Sequence, residues 1–372
     1  MGFSKKDTSA VKGVAILMML YHHLFLDPSR YEGFTVDFSP LGEEKSLIIA
    51  QFFKICVAIF VFLSGYGITI SLKRIDKNDK LAYKKQIGKR MFSLMSGFWF
   101  IYVICFILAL VFDKSILTKG YAANNIFNSI WFIFVDFMGL AKLFSTPTII
   151  GTWWYMSLAI IIVVAMPLFY KFYEKYGTVA LLVSSMVLCG IFEDKNYDMV
   201  RWMFTLCLGI VFADKSLLTR IKAFRIVKKI KVVDYLIKLV LYTAIMIASI
   251  YARTYADWTV SYLRDGIIPV IVIIWCYTIL FEIKPVYVVL DFLGKYSTNI
   301  FMSHTLLRGY LLKDFIYSRQ HFLIIYLTLI VLSLAFAIVI DLLKKATQYD
   351  RLCKFVTNKI LNYKIEEKVL DK

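Results

Sequence analysis

Carboxylates, histidine and paired cysteine are all scarce in this chain, and each shortage removes a class of function. Only 26 of its 372 residues are Asp or Glu, and four are His. A protein metal centre needs several such ligands converging at short spacing. No segment supplies them, so no metal site is expected and no resident cofactor is implied. The six cysteines (Cys56, Cys105, Cys189, Cys207, Cys276 and Cys353) are dispersed without a metal-binding pair. That excludes a zinc ribbon and leaves them as small hydrophobes. Internal repeats, low-complexity runs and a recognisable soluble domain are also absent.

What is present is hydrophobic sequence. The chain is 60% apolar, with a mean hydropathy of +0.69, well above a soluble domain of ordinary usage. Runs long enough to cross a bilayer core fall near 10–27, 46–71, 91–112, 151–170, 177–193, 199–214, 233–253, 264–282, 297–313 and 321–343. The expected fold is all-α: a polytopic integral membrane bundle of about ten transmembrane helices over 1–345, followed by a basic cytoplasmic tail over 346–372. The first run lacks a small-residue cleavage site and leads into a loop and another apolar run, so it is expected to be a span and not a cleaved signal peptide. Residues 28–45 read as an irregular loop. The apolar stretch 126–139, interrupted by Asp136, is too short to span and reads as interfacial or re-entrant.

The net charge of +18 invites a nucleic-acid reading, but the placement of the charges argues against it. Basic residues gather in alternate loops: Lys5 and Lys6; Lys73 through Arg90, including Lys77; Lys171 and Lys175; Lys215 through Lys231; and Lys344 through Lys354. The intervening loops carry acids such as Asp27, Glu43, Asp113, Glu193 and Asp194. An even number of spans with both termini cytoplasmic satisfies the positive-inside rule throughout. The charge is topology, and the expected partner is the lipid bilayer, not nucleic acid. The basic stretch 215–232 reads as a solvated connector, with a surface helix on anionic lipid as the alternative.

Ionisable residues inside an apolar run are costly, on the order of 3 kcal/mol each, so Lys12 and His23 in the first run mark a candidate site. A helix turns about 100° per residue, which returns His23 to within about 20° of Lys12, about 16 Å further along. His22 lies about 80° off that line. One helix face therefore carries a cation near one membrane surface and an imidazole at depth. With a reference pKa of about 6.5, that imidazole is largely neutral near pH 7 and suited to general-base work.

Four stretches, in order, resemble the acyltransferase-3 family of integral-membrane O-acyltransferases. They are Val11-Lys-Gly-Val-Ala-Ile-Leu-Met-Met-Leu-Tyr-His-His23, Cys56-Val-Ala-Ile-Phe-Val-Phe-Leu-Ser-Gly-Tyr66, Trp153-Trp-Tyr-Met-Ser157 and Leu293-Gly-Lys-Tyr-Ser-Thr-Asn-Ile-Phe-Met-Ser-His304. Two departures stand out. The family's opening Arg is Lys12 here, a point charge where a bidentate fork is usual. In Lys89-Arg-Met-Phe-Ser93, Arg90 is kept but Ser93 stands where a second Arg would fall.

The resemblance implies transfer of an acyl group, with acetyl expected, from cytoplasmic acyl-CoA to a hydroxyl of an extracytoplasmic glycan or exopolysaccharide. The setting it implies is a bacterial cell membrane. Acetyl-CoA would be a donor substrate, not a bound cofactor. His23 would be the base, Lys12, Lys89 and Arg90 donor contacts, and Ser64, Tyr155 and His304 acceptor or oxyanion groups.

Each of these residues also has a structural reading. Lys12 can anchor the end of a span, Arg90 can be a positive-inside residue, and Ser64-Gly65 can be a packing notch. Trp153 to Tyr155 can form an aromatic belt, and His304 can be a packed polar group. A transporter or polysaccharide exporter is the competing function. Against it, the spans show no matched halves and few buried acids. A non-catalytic membrane subunit with the same fold is a third reading.

Overall fold

The computed structural model describes residues 2–75, 79–122, 125–192, 198–255 and 261–370; Lys77, Glu193 and Asp194 of the charge pattern lie outside them. In chain order the helices are α1 (Lys5–Phe25), α2 (Glu43–Phe53), α3 (Cys56–Leu72), α4 (Lys80–Phe112), α5 (Ser115–Tyr121), α6 (Ile126–Phe137), α7 (Trp154–Phe192), α8 (Asp198–Arg201) and α9 (Met203–Asp214). There follow α10 (Leu217–Ala223), α11 (Lys231–Tyr255), α12 (Ser261–Thr278), α13 (Lys284–Lys295), α14 (Ser297–Leu306), α15 (Lys313–Tyr317), α16 (Phe322–Ala346) and α17 (Tyr349–Leu370). Among the described residues no strand forms; one isolated bridge joins Asp37 to His321.

Six helical stretches among the described residues are long and apolar enough to cross a membrane: Glu43–Leu72, Leu81–Phe112, Gly151–Phe192, Lys231–Tyr255, Ser261–Glu282 and Phe322–Ala346. Gly151–Phe192 joins two expected runs, 151–170 and 177–193, which meet at the left-handed Gly177 (φ +82°). The expected runs at 10–27, 199–214 and 297–313 coincide with α1, α9 and α14. The first of these carries Lys12, His22 and His23, and the other two helices are short. Large apolar side chains face outward on α11 and α16, as on Val240 (71% exposed) and Val331 (63%). That suits helices bathed in hydrocarbon, where no water competes for backbone groups.

The chain forms two compact units. The first comprises Met1–Lys73, Met166–Ser297 and Gln320–Tyr326. Its tightest contacts are made by glycines, because a missing side chain lets two helix backbones approach. A Cβ on Gly65 of α3 would lie 2.5 Å from the Leu206 carbonyl oxygen of α9, and one on Gly209 of α9 would lie 2.5 Å from the Phe62 carbonyl oxygen. Elsewhere a buried carboxylate gathers helix ends: Asp265 of α12 accepts from Arg201 at the end of α8 and from Arg253 near the end of α11 (Nη1 to Oδ1, 2.5 Å). The loop after α1 is not wholly irregular. It contains a 3-10 turn over Pro28–Tyr31, and it is tied at Asp37 to Gln320 and Phe322 by two backbone hydrogen bonds of 2.9 Å.

The second unit comprises Arg74–Ala165, Thr298–Arg319 and Leu327–Lys372. Asp136 does not cut α6 short; the helix runs through it, and the carboxylate is 1% exposed. Its Oδ2 accepts from the Tyr121 hydroxyl (2.7 Å) and the Ile149 amide (3.1 Å), and Tyr102 and Tyr121 share a hydrogen bond of 2.6 Å. One carboxylate thus ties α4, α5, α6 and the chain entering α7. Asn299 of α14 is held by α16 through the Ala337 carbonyl (3.2 Å) and Asp341 (2.7 Å).

Candidate active site

In the first unit both expected residues of the opening motif sit on α1. The helix begins with a capping box: the Asp7 amide donates to Ser4 Oγ (3.1 Å) and the Ser4 amide to Asp7 Oδ2 (2.7 Å). Lys12 is half-buried beside Gly13, where α1 meets α13. A Cβ on Gly13 would run into the Leu290 carbonyl, and one on Gly294 into the Ser9 carbonyl. Ser9 Oγ donates to the Asp291 carbonyl (2.9 Å), and the Tyr287 hydroxyl donates to Asp7 (3.0 Å). The motifs around Val11-Lys-Gly13 and Leu293-Gly-Lys295 are therefore two sides of one helix crossing.

At the other end of α1 the two adjacent imidazoles differ. His22 is buried, and its Nδ1 donates to the Ala50 carbonyl of α2 (2.9 Å). His23 is half-buried, with its ring edge-to-face against His22 at 5.1 Å between centroids. The last turn that carries both is clamped from the following loop, where Arg30 Nη1 donates to the carbonyls of His22 and His23 at 3.0 Å each. The His22 carbonyl also accepts from the Leu26 amide (3.1 Å), so the cation adds a second donor there and meets the negative end of the helix dipole. Beyond that turn, Phe38 packs on Phe25 and Phe322 at 5.5 and 6.0 Å, and His321 Nε2 donates to the Ser39 carbonyl (3.0 Å). The Ser39 amide and hydroxyl hold the Asp37 carboxyl below the usual carboxylate range. On α3, Ser64 is half-buried and its hydroxyl donates to the Phe60 carbonyl of its own helix (2.8 Å), while its neighbour Gly65 forms the contact with α9.

In the second unit, Lys89 is exposed and Arg90 half-buried on α4; Ser93, in place of the expected second Arg, is exposed. Tyr155 opens α7 half-buried, packed on Phe301 at 5.0 Å between ring centroids. His304 has no exposed surface. Its Nδ1 donates to the Phe301 and Ile300 carbonyls (2.9 and 3.1 Å), and its Nε2 lies 3.2 Å from the Thr305 hydroxyl, which lies 3.3 Å from that of Thr152. With both ring nitrogens engaged and the ring sealed, His304 can hold its neighbours but offers no free lone pair to a ligand. Trp153 Nε1 donates to the Met302 carbonyl (2.9 Å), so the aromatic at this span entrance is a buried helix tie and not a belt residue.

The residue that sequence reading missed is Arg30. A cation a few residues past a helix end is a recognised C-terminal signal, but nothing local in Pro28-Ser-Arg-Tyr31 says that it folds back. Among the described residues, no group of three or more His, Cys, Asp or Glu is placed to hold a metal.

A family model described as an acyltransferase domain matches residues 8–342, nearly the whole chain. No curated protein and no solved structure matches it.

Proposed function

The chain belongs to this acyltransferase-domain family, and from that premise we propose that it moves an acyl group, acetyl in the first instance, from cytoplasmic acyl-CoA to a hydroxyl of an extracytoplasmic surface glycan or exopolysaccharide. The acceptor oxygen attacks the thioester carbonyl while its proton passes to the His23 imidazole. The carbon–sulfur bond then breaks, and the departing CoA thiolate recovers that proton from the imidazolium. A placed histidine typically contributes about 10²–10⁴ in rate. Lys12 is the proposed phosphate contact of the first unit, and Lys89 and Arg90 those of the second. Ser64 and Tyr155 are the proposed acceptor or oxyanion contacts, and His304 acts through Thr305. In this reading both termini are cytoplasmic and the protein resides in a bacterial cell membrane.

The observation that supports this reading best is the placement of His23, half-buried on a helix turn whose His22 and His23 carbonyls both accept from Arg30. The test is release of free thiol from acetyl-CoA by the purified protein in detergent, with and without surface glycans. Glycan-dependent release that disappears in His23→Ala supports acyl transfer. Glycan flux across reconstituted vesicles without thiol release would replace it with transport. Lys12→Ala should raise the donor KM and Lys12→Arg should not.

A further inference from the structure

After α14 the chain does not continue as an α-helix. Leu307–Leu311 is a π-helical turn, closed by the Leu312 amide on the Leu307 carbonyl five residues back (2.8 Å). Such wide turns give up regular hydrogen bonding and collect at functional sites. This one carries Arg308, four residues beyond His304 and three beyond Thr305, inside the run 297–313 read as a span.

Arg308 is half-buried, its Nε is sealed from solvent, and the side chain makes no hydrogen bond or ion pair among the described residues. An arginine in that position is unusual. A guanidinium brings five donors, each of which carries a penalty when buried and unmet. Two further features lie beside it. Gly309 faces open space, since a Cβ there would meet no atom within 4 Å. Half-buried Thr305, on the preceding turn, has its hydroxyl between His304 Nε2 (3.2 Å) and the Thr152 hydroxyl (3.3 Å).

We propose that Arg308 is the anion-binding residue of an acceptor subsite, and that the acceptor carries a phosphate or carboxylate group near the hydroxyl to be acylated. A guanidinium fork matches either group bidentately, and desolvation at a half-buried site strengthens the pairing. Thr305 supplies a neutral hydroxyl beside it, and the gap at Gly309 supplies room. The inference deepens the acyl-transfer reading and depends on it for the identity of the ligand as acceptor.

The test is thermal unfolding of the full-length protein in detergent at constant ionic strength. Sodium chloride is exchanged for inorganic phosphate in one arm and for glucuronate in another, with acetyl-CoA-dependent thiol release measured on the same samples. A saturable rise in melting temperature with either anion is expected. The half-saturating concentration should be at least tenfold higher in Arg308→Gln, with a smaller loss in Arg308→Lys, and the tighter arm identifies the group. Should Arg308→Gln not fold, Arg308→Lys and Gly309→Val carry the comparison, the latter keeping the charge but filling the gap. His23→Ala should respond like the unmodified protein. An unmodified protein that fails to respond, or that matches its Arg308 variants, overturns the subsite, as does a response confined to a third arm in which anionic phospholipid is added to the detergent in place of either anion. No thiol release alongside an intact anion response would count against the acyl-transfer reading alone.

Discussion

Arg30 donates from one terminal nitrogen to the carbonyl of His23 at 3.0 Å, and the same nitrogen reaches the carbonyl of His22. The imidazole proposed as base is thus carried on a helix end whose last-turn carbonyls are bridged by a side chain from the following loop. Replacing Arg30 with Ala frees that turn to fray. The expected result is a stability loss of about 1 kcal/mol and a fall in kcat with the donor KM unchanged. Restoration of both by Arg30→Lys would point to simple charge, and restoration of stability alone to the geometry of the fork. Thermal melting and thiol-release kinetics together read this.

The paired histidines should separate cleanly on mutation. His22 is buried and gives its Nδ1 proton to the Ala50 carbonyl, so His22→Ala leaves a cavity and an unmet acceptor. It should lose about 1–3 kcal/mol of stability, with turnover per folded molecule largely kept. His23→Ala removes a half-buried ring and should scarcely move the melting temperature, while turnover falls by about 10²–10⁴. The reverse pattern would transfer the proposed base to His22.

Gly294 of α13 lies against the Ser9 backbone of α1, where a Cβ would run into the carbonyl oxygen. Backbone cannot step aside as a flexible side chain can, so Gly294→Ala should force the helices apart. A loss of about 1–3 kcal/mol is expected. Gly97→Ala on α4 is the matched control, because a Cβ there would meet nothing within 4 Å. Equal melting temperatures for the two variants would remove the crossing from the list of contacts that hold Lys12 in place.

Much of this architecture is legible in the sequence, for an identifiable reason. Stretches such as Lys231–Tyr255 and Phe322–Ala346 are long, apolar and free of interruptions, so length and composition alone mark them as able to cross a membrane. The candidate histidine was legible too, because an ionisable group in such a run is rare. What could not be read was anything that depends on a partner distant in sequence. α13, Lys284–Lys295, falls between the expected runs 264–282 and 297–313, and only the contact of Gly294 with Ser9 explains its motif. Arg308 follows the matched Leu293–His304 stretch, and its meaning depends on a π turn that no local periodicity announces. The sequence places His304 among acceptor or oxyanion groups, with a packed polar group as the alternative; in the fold its two nitrogens are met by carbonyls of its own helix and by Thr305.

Asp136 illustrates the same limit and gives a pH dependence with a definite sign. Burial is the dominant influence on its carboxyl and pushes it up to about 6, against the Tyr121 and Ile149 hydrogen bonds that pull it down. The unfolded chain has the ordinary value of about 4. Between those values the folded state holds the proton that the unfolded state has released. The stabilisation is therefore complete below about pH 4 and is lost as pH rises through about 6. The interval corresponds to about 3 kcal/mol. Asp136→Asn cannot ionise but keeps an acceptor for Tyr121 and the Ile149 amide. The variant's stability relative to the unmodified protein should therefore rise between pH 4 and 7 by an amount of that order and then level off. Subtracting one protein from the other cancels the carboxylates Asp37 and Asp113, whose lowered values drive stability the opposite way. A difference that stays flat across that range in paired melting curves would mean that Asp136 is not titrating inside the fold, and that the tie between α5, α6 and Ile149 does not hold a protonatable acid.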